Sequence, residues 1–169
     1  MTLSTKPDVV SSIPSAAAYG FLALPLAFAG LPLYIHIPDF YTREMGLGIA
    51  SAGIILMALR FLDALQDPVI GYLSDKGPIF HRMIIGLGIF ALLIGMGALR
   101  MGPPSFVPVA YWFTGGVALT ALGLSMSNIN LVMIGSLYSG NESVRGRFSA
   151  IREGLSLLGM LFASILPGI

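Results

Sequence analysis

The residues best placed to do chemistry are Arg60, Asp63 and Asp67, in the run Arg60-Phe61-Leu62-Asp63-Ala64-Leu65-Gln66-Asp67-Pro68. They interrupt a long apolar stretch that ends near Ser74. Counting back from Ser74 at ~1.5 Å per residue, Asp67 lies ~10 Å inside a helix spanning this stretch, Asp63 ~16 Å and Arg60 ~21 Å. The two aspartates are i and i+4 and share one helix face, with Arg60 one turn further along nearly the same stripe. An ionised side chain at that depth of a bilayer costs about 2.5–3.5 kcal/mol even on the lenient insertion scale. Three on one stripe must therefore face a partner, water or an ion. Two carboxylates one turn apart suit a hard monovalent cation, whose approach relieves their repulsion. Without an ion, the same seat would hold a proton. The competing reading is an internal Arg60–Asp63 salt bridge that only pins helices together.

Other polar residues are sparser. Gly71 precedes Asp75, Lys76 and Gly77 by one turn, and His81 and Arg82 follow. A glycine there would let a neighbouring helix end approach closely, while the charges lock a cytoplasmic gate. Ser125, Ser127, Asn128 and Asn130 make a later apolar segment unusually polar. Asparagines in a span either join helices, at about 0.6 kcal/mol per hydrogen bond, or line a cavity. The cavity is the preferred reading, because Asn128 and Asn130 cannot both face one neighbour. Arg152-Glu153 opens the last apolar segment, as a membrane anchor or as a binding group. His36 and His81 are far apart and the chain has no cysteine, so no metal-ligand spacing appears. With no nucleophile–base arrangement either, enzyme activity is not expected.

The elements that must position these groups are membrane helices. The chain has 169 residues, 56% hydrophobic and 10% charged. Soluble domains average about 25% charged residues, and here the charges cluster between apolar runs, which is the bilayer pattern. After a polar tail over 1–15, helices are predicted at about 16–37, 47–73, 83–99, 106–137 and 149–166, forming one all-α polytopic bundle over 16–169. The charges, prolines and glycines concentrate in the connections 39–46, 74–82, 100–105 and 138–147. The first span exceeds a signal-peptide core and lacks a small-residue cleavage site, so it is kept as a helix. With the N-terminus inside, the cytoplasmic side collects Lys6, Lys76, Arg82, Arg145, Arg147 and Arg152, and the outside only Arg43 and Arg100. That bias puts the N-terminus in the cytoplasm. Net charge is +1, which gives no case for nucleic acid. Pro25, Pro32 and Pro38 with Gly20 and Gly30 make helix 1 either kinked or broken beside a cavity.

Two motifs carry a resemblance. Gly71-x-x-x-Asp75-Lys76 with the later Arg82 resembles the loop 2–3 signature of the major facilitator superfamily, although Gly77 and Pro78 depart from it. Arg60-x-x-Asp63-Ala64-x-x-Asp67-Pro68-x-x-Gly71 is more specific. It resembles the second helix of the glycoside–pentoside–hexuronide:cation symporters, the melibiose permease group. Ala18-Tyr19-Gly20-Phe21, Phe40-Tyr41-Thr42 and Arg145-x-Arg147-x4-Arg152 with Gly159 fit the same family, so the resemblance covers about 18–167. It implies alternating-access symport of a sugar or other small polar solute across a bacterial-type inner membrane. Asp63 and Asp67 would take Na⁺, Li⁺ or H⁺, and Arg152 and Asn128 would bind the solute. Arg60, Gly71, Asp75, Lys76 and Arg82 would serve gating or structure. The family's helix-1 acid aligns with Ala27 and its helix-4 acid with Ser127 or Asn128, which argues against melibiose-like specificity.

No cofactor beyond the coupling ion is expected. A transporter of this superfamily has twelve helices in two halves with substrate between them. Five helices therefore fit either a fragment of such a protein or a half-transporter that takes the others, besides surrounding lipid, from a second membrane chain or a larger membrane complex. The alternative function is a non-transporting accessory subunit that kept the half-fold.

Overall fold

A computed structural model describes residues 19–138 and 142–165, with side chains for all of these except 78, 136–138 and 142–145. The tail over 1–15 and the Arg145 side chain lie outside the described residues. Among the described residues the chain is all helical, with five helices long and apolar enough to cross a membrane. They are α1 (Tyr19–Arg43), α2 (Ile49–Ser74), α3 (Pro78–Met101), α4 (Val109–Tyr138) and α5 (Glu142–Ile165).

Several helices extend past their apolar stretches. α3 begins at Pro78 rather than near 83, because proline is preset for the first helical position and has no N–H to leave unpaired. α5 begins at Glu142 rather than near 149, and α1 runs on through Asp39 to Arg43. The expected connection over 39–46 thus begins as helix, closed by an Arg43–Asp39 ion pair at 2.6 Å. α4 starts later than expected, at Val109, because 102–108 carries three prolines. Gly102 ends α3 at a φ of 76°, a positive value that favours glycine.

The prolines of α1 neither break it nor leave it ideal. Pro32–His36 winds as a π-turn, in which the Ile37 N–H reaches back to the Pro32 carbonyl. α2 continues through Pro68, which removes one backbone donor next to Asp67.

α3 packs along α4, the first half of α1 packs on α5, and α2 leans on α4. The α3–α4 seam is close because its residues are small: a Cβ added at Gly123 would lie 2.5 Å from the Leu92 backbone nitrogen. Buried Leu33, Tyr41, Leu59, Leu99, Phe113 and Val117 form the main core, at the end of the bundle where α1 joins α2 and α3 joins α4. Phe61, Leu62, Leu65 and Val69 of α2 are exposed, as a chain solvated by lipid allows.

Candidate functional site

A group of polar side chains from four helices gathers around one cavity. α1, α2, α4 and α5 surround a cavity of about 670 Å³, within the size range of small-ligand sites. α1 contributes a stripe that includes Ala27, Gly30 and Tyr34. α2 contributes Arg60, Asp63 and Asp67, α4 contributes Ser125 and Asn128, and α5 contributes Arg152, Glu153 and Ser156. Among the described residues α3 lines none of it and packs mainly against α4.

The local reason is periodicity. The buried positions of α2 include Leu59, Ile70 and Ser74, and Asp63 and Asp67 fall on the same stripe between them. Both carboxylates therefore point into protein and cavity. Asp63 Oδ1 accepts from the Gln66 amide at 2.8 Å. Asp67 Oδ1 is buried and has no hydrogen-bond partner among the described residues. A buried carboxylate oxygen is costly unless something pairs with it, so Asp67 is the least satisfied group of the site.

Arg60 does not form the salt bridge of the competing reading. Among the described residues it makes no ion pair with Asp63; its guanidinium lies 3.8 Å from the centroid of the Tyr34 ring. Such a contact contributes ~0.5–2 kcal/mol, depending on desolvation. The competing carboxylate attraction is ~4 kcal/mol at ~4 Å and an effective dielectric near ~20, before desolvation offsets it. The ring thus holds a cation that shares its helix face with two carboxylates but lies outside ion-pair distance of either among the described residues.

On the opposite wall, Arg152 pairs with Glu153. The Arg152 side chain is only 21% exposed and Glu153 is 62% exposed, so the arginine is part of the cavity wall and not a free anchor. Tyr19, whose hydroxyl donates to the Leu131 carbonyl at 2.8 Å, stands beside it. The two asparagines divide their roles. Asn128 is exposed in the cavity, whereas Asn130 is fully buried. Asn130 Oδ1 accepts from Ser74 Oγ at 2.9 Å and its Nδ2 donates to the Met126 carbonyl at 2.7 Å. Both readings of helix 4 hold, each for a different residue.

The expected gate residues do not assemble. Gly71 has nothing within 4 Å of an added Cβ, so no neighbouring helix approaches it closely among the described residues. Asp75, Lys76 and Arg82 are exposed, and none is in an ion pair among the described residues. Lys76 lies 4.9 Å from the Tyr72 ring. Asp75 instead ends α2, where its N–H bonds the Gly71 carbonyl. Among the described residues no group of three metal-ligating side chains forms. Sequence reasoning missed Tyr34 and Ser156. Tyr34 had one available signal, its place two residues after Pro32 on a helix already marked as irregular.

The sequence over residues 16–169 matches the family described as MFS/sugar transport protein. The chain belongs to that family. It is also 27% identical over 153 residues to the uncharacterized symporter YnaJ of Bacillus subtilis, covering 88% of this chain and 31% of YnaJ. It is 26% identical over 140 residues to the putative sulfoquinovose importer of Escherichia coli, covering 78% of this chain and 29% of that protein. The chain thus spans less than a third of the length of either relative. Membership in the family and the five spans make it a multi-pass membrane protein.

Proposed function

We propose that this chain forms part of a cation-coupled symporter that moves a sugar or another small polar solute by alternating access. The observation that carries the reading is one cavity with two chemically different walls. On α2, Asp63 and Asp67 stand one turn apart, with a buried Asp67 oxygen left unpartnered. Across from them, Arg152, Glu153, Asn128 and Ser156 offer donors and acceptors of the kind hydroxyl groups need. A monovalent cation, Na⁺ or H⁺, would sit at the carboxylates and neutralise them, and the solute would bind the facing wall. Coupling follows if the loaded cavity changes its access more readily than the half-loaded one. The family and both named relatives support transport, and neither relative's name fixes the solute for this chain.

In this reading, helices beyond the five, from the same protein or another chain, complete the pathway. The bundle sits in a bacterial-type inner membrane with its N-terminus in the cytoplasm, in keeping with the Lys/Arg bias. A cysteine placed at Thr42, in a chain without native cysteine, then labels from outside the cell only. The functional test is uptake into proteoliposomes holding the chain in its complete assembly, driven by a Na⁺ or H⁺ gradient across a panel of sugars and small acids. Gradient-dependent uptake, lost in both Asp63→Asn and Asp67→Asn, supports symport. Uptake indifferent to both substitutions rejects the cation seat. Absence of any uptake favours the accessory-subunit role.

A further inference from the structure

Tyr34 has no part in the reading above, and its position gives it one. It sits inside the Pro32–His36 π-turn, on the cavity stripe of α1, with the Arg60 guanidinium 3.8 Å from its ring centroid. π-turns inside α-helices occur frequently at functional sites. Arg60 is also i, i+3 to Asp63 on α2, so the two side chains are neighbours on one helix surface. A long, flexible arginine there can reach either the ring or the carboxylates. Asp63 is engaged by Gln66, and Asp67 Oδ1 is unpartnered among the described residues. A guanidinium fits a carboxylate closely and cannot lose its charge, so on the aspartates it would occupy the place an incoming cation needs.

We propose that Tyr34 is a positioning residue of the cation seat: its ring holds Arg60 aside and keeps the protein's own cation from filling the space between Asp63 and Asp67. The proposal rests on the cation-seat reading. A monovalent ion at the carboxylates repels Arg60 toward the ring, and without the ring Arg60 is free to cross to the aspartates. Arg60 then acts as an internal competitor, and Tyr34 sets how strongly it competes.

The experiment measures protection of Asp63 and Asp67 from carbodiimide modification by NaCl, with choline chloride as control, on the full chain in nanodiscs, read by mass spectrometry. In Tyr34→Leu the half-protecting Na⁺ concentration rises by up to about tenfold, within the range of a cation–π contact. Tyr34→Phe keeps the ring face and restores protection to near the wild-type value. Tyr34→Leu combined with Arg60→Gln also restores it, because the competitor is gone; a merely structural tyrosine would not be rescued this way. Wild-type protection that is unchanged in Tyr34→Leu, or a double variant as weak as the single one, overturns the role of Tyr34 alone. No protection by Na⁺ in the wild type overturns the Na⁺ seat and this role together.

Discussion

The two ends of the polar inventory are handled in opposite ways. At the end of the bundle where α1 joins α2 and α3 joins α4, the large polar side chains of the core have partners. The Tyr41 hydroxyl donates to the Leu99 carbonyl at 2.9 Å, and the Trp112 indole donates to the Ala98 carbonyl at 3.0 Å. Both carbonyls belong to the last turn of α3, where intrahelical donors run out, so the two aromatics cap that helix from its neighbours. Tyr41 also packs its ring 5.0 Å from Phe113. In the central cavity the reverse holds: Asp67 keeps an unpartnered oxygen and Arg60 rests on a ring beside two carboxylates. One region is satisfied and fixes the bundle. The other holds charges with alternatives, which is what a site that must take up and release an ion requires.

The comparison makes substitutions in the packed regions costly to stability and substitutions in the cavity costly to binding. The largest stability effect belongs to Gly123→Val, whose side chain would meet the Leu92 backbone. Overpacking of this kind costs about 1–3 kcal/mol, and rigid backbone on the far side puts this site at the upper limit. Thermal unfolding in nanodiscs should show a large drop for it and almost none for Gly71→Val, where the added side chain meets open space among the described residues. Equal losses at the two glycines would erase the distinction. Tyr41→Phe is next: it leaves the Leu99 carbonyl without its donor and should cost about 1 kcal/mol with cation binding unchanged. The smallest stability effect is expected in the cavity itself. Asp67→Asn removes the charge from a carboxyl group that has one buried oxygen without a partner among the described residues, so unfolding should be unchanged or slightly later. A clear loss of stability there would mean that Asp67 is structural.

Much of the site is readable from residue types, because depth and helical spacing are fixed by the chain. The i, i+4 aspartates inside an apolar run already required a shared, lipid-averted face. The five spans likewise followed from hydropathy. Helix ends did not, since hydropathy marks where lipid stops and not where the hydrogen-bonded ladder stops; α3 and α5 extend through polar residues at their starts, from Pro78 and Glu142. Side-chain choices between competing partners were also illegible. Arg60 has a carboxylate one turn away in sequence, and its ring partner comes from a helix more than twenty residues earlier. Asn128 and Asn130 look alike in sequence, and only the position of Ser74 decides which one joins helices.

The central claim is that Asp63 and Asp67 together hold one monovalent cation, and equilibrium binding of radioactive sodium to the purified chain tests it most directly. The wild type should bind one Na⁺ saturably, in competition with Li⁺ and H⁺ but not with K⁺-sized or organic cations. Asp63→Asn and Asp67→Asn should each weaken binding by about 100-fold, the loss expected for a charge-assisted ligand, while unfolding stays cooperative. Sodium binding that survives both substitutions would contradict it, and so would a wild type that neither binds Na⁺ at any pH nor takes up a proton that depends on these two carboxylates.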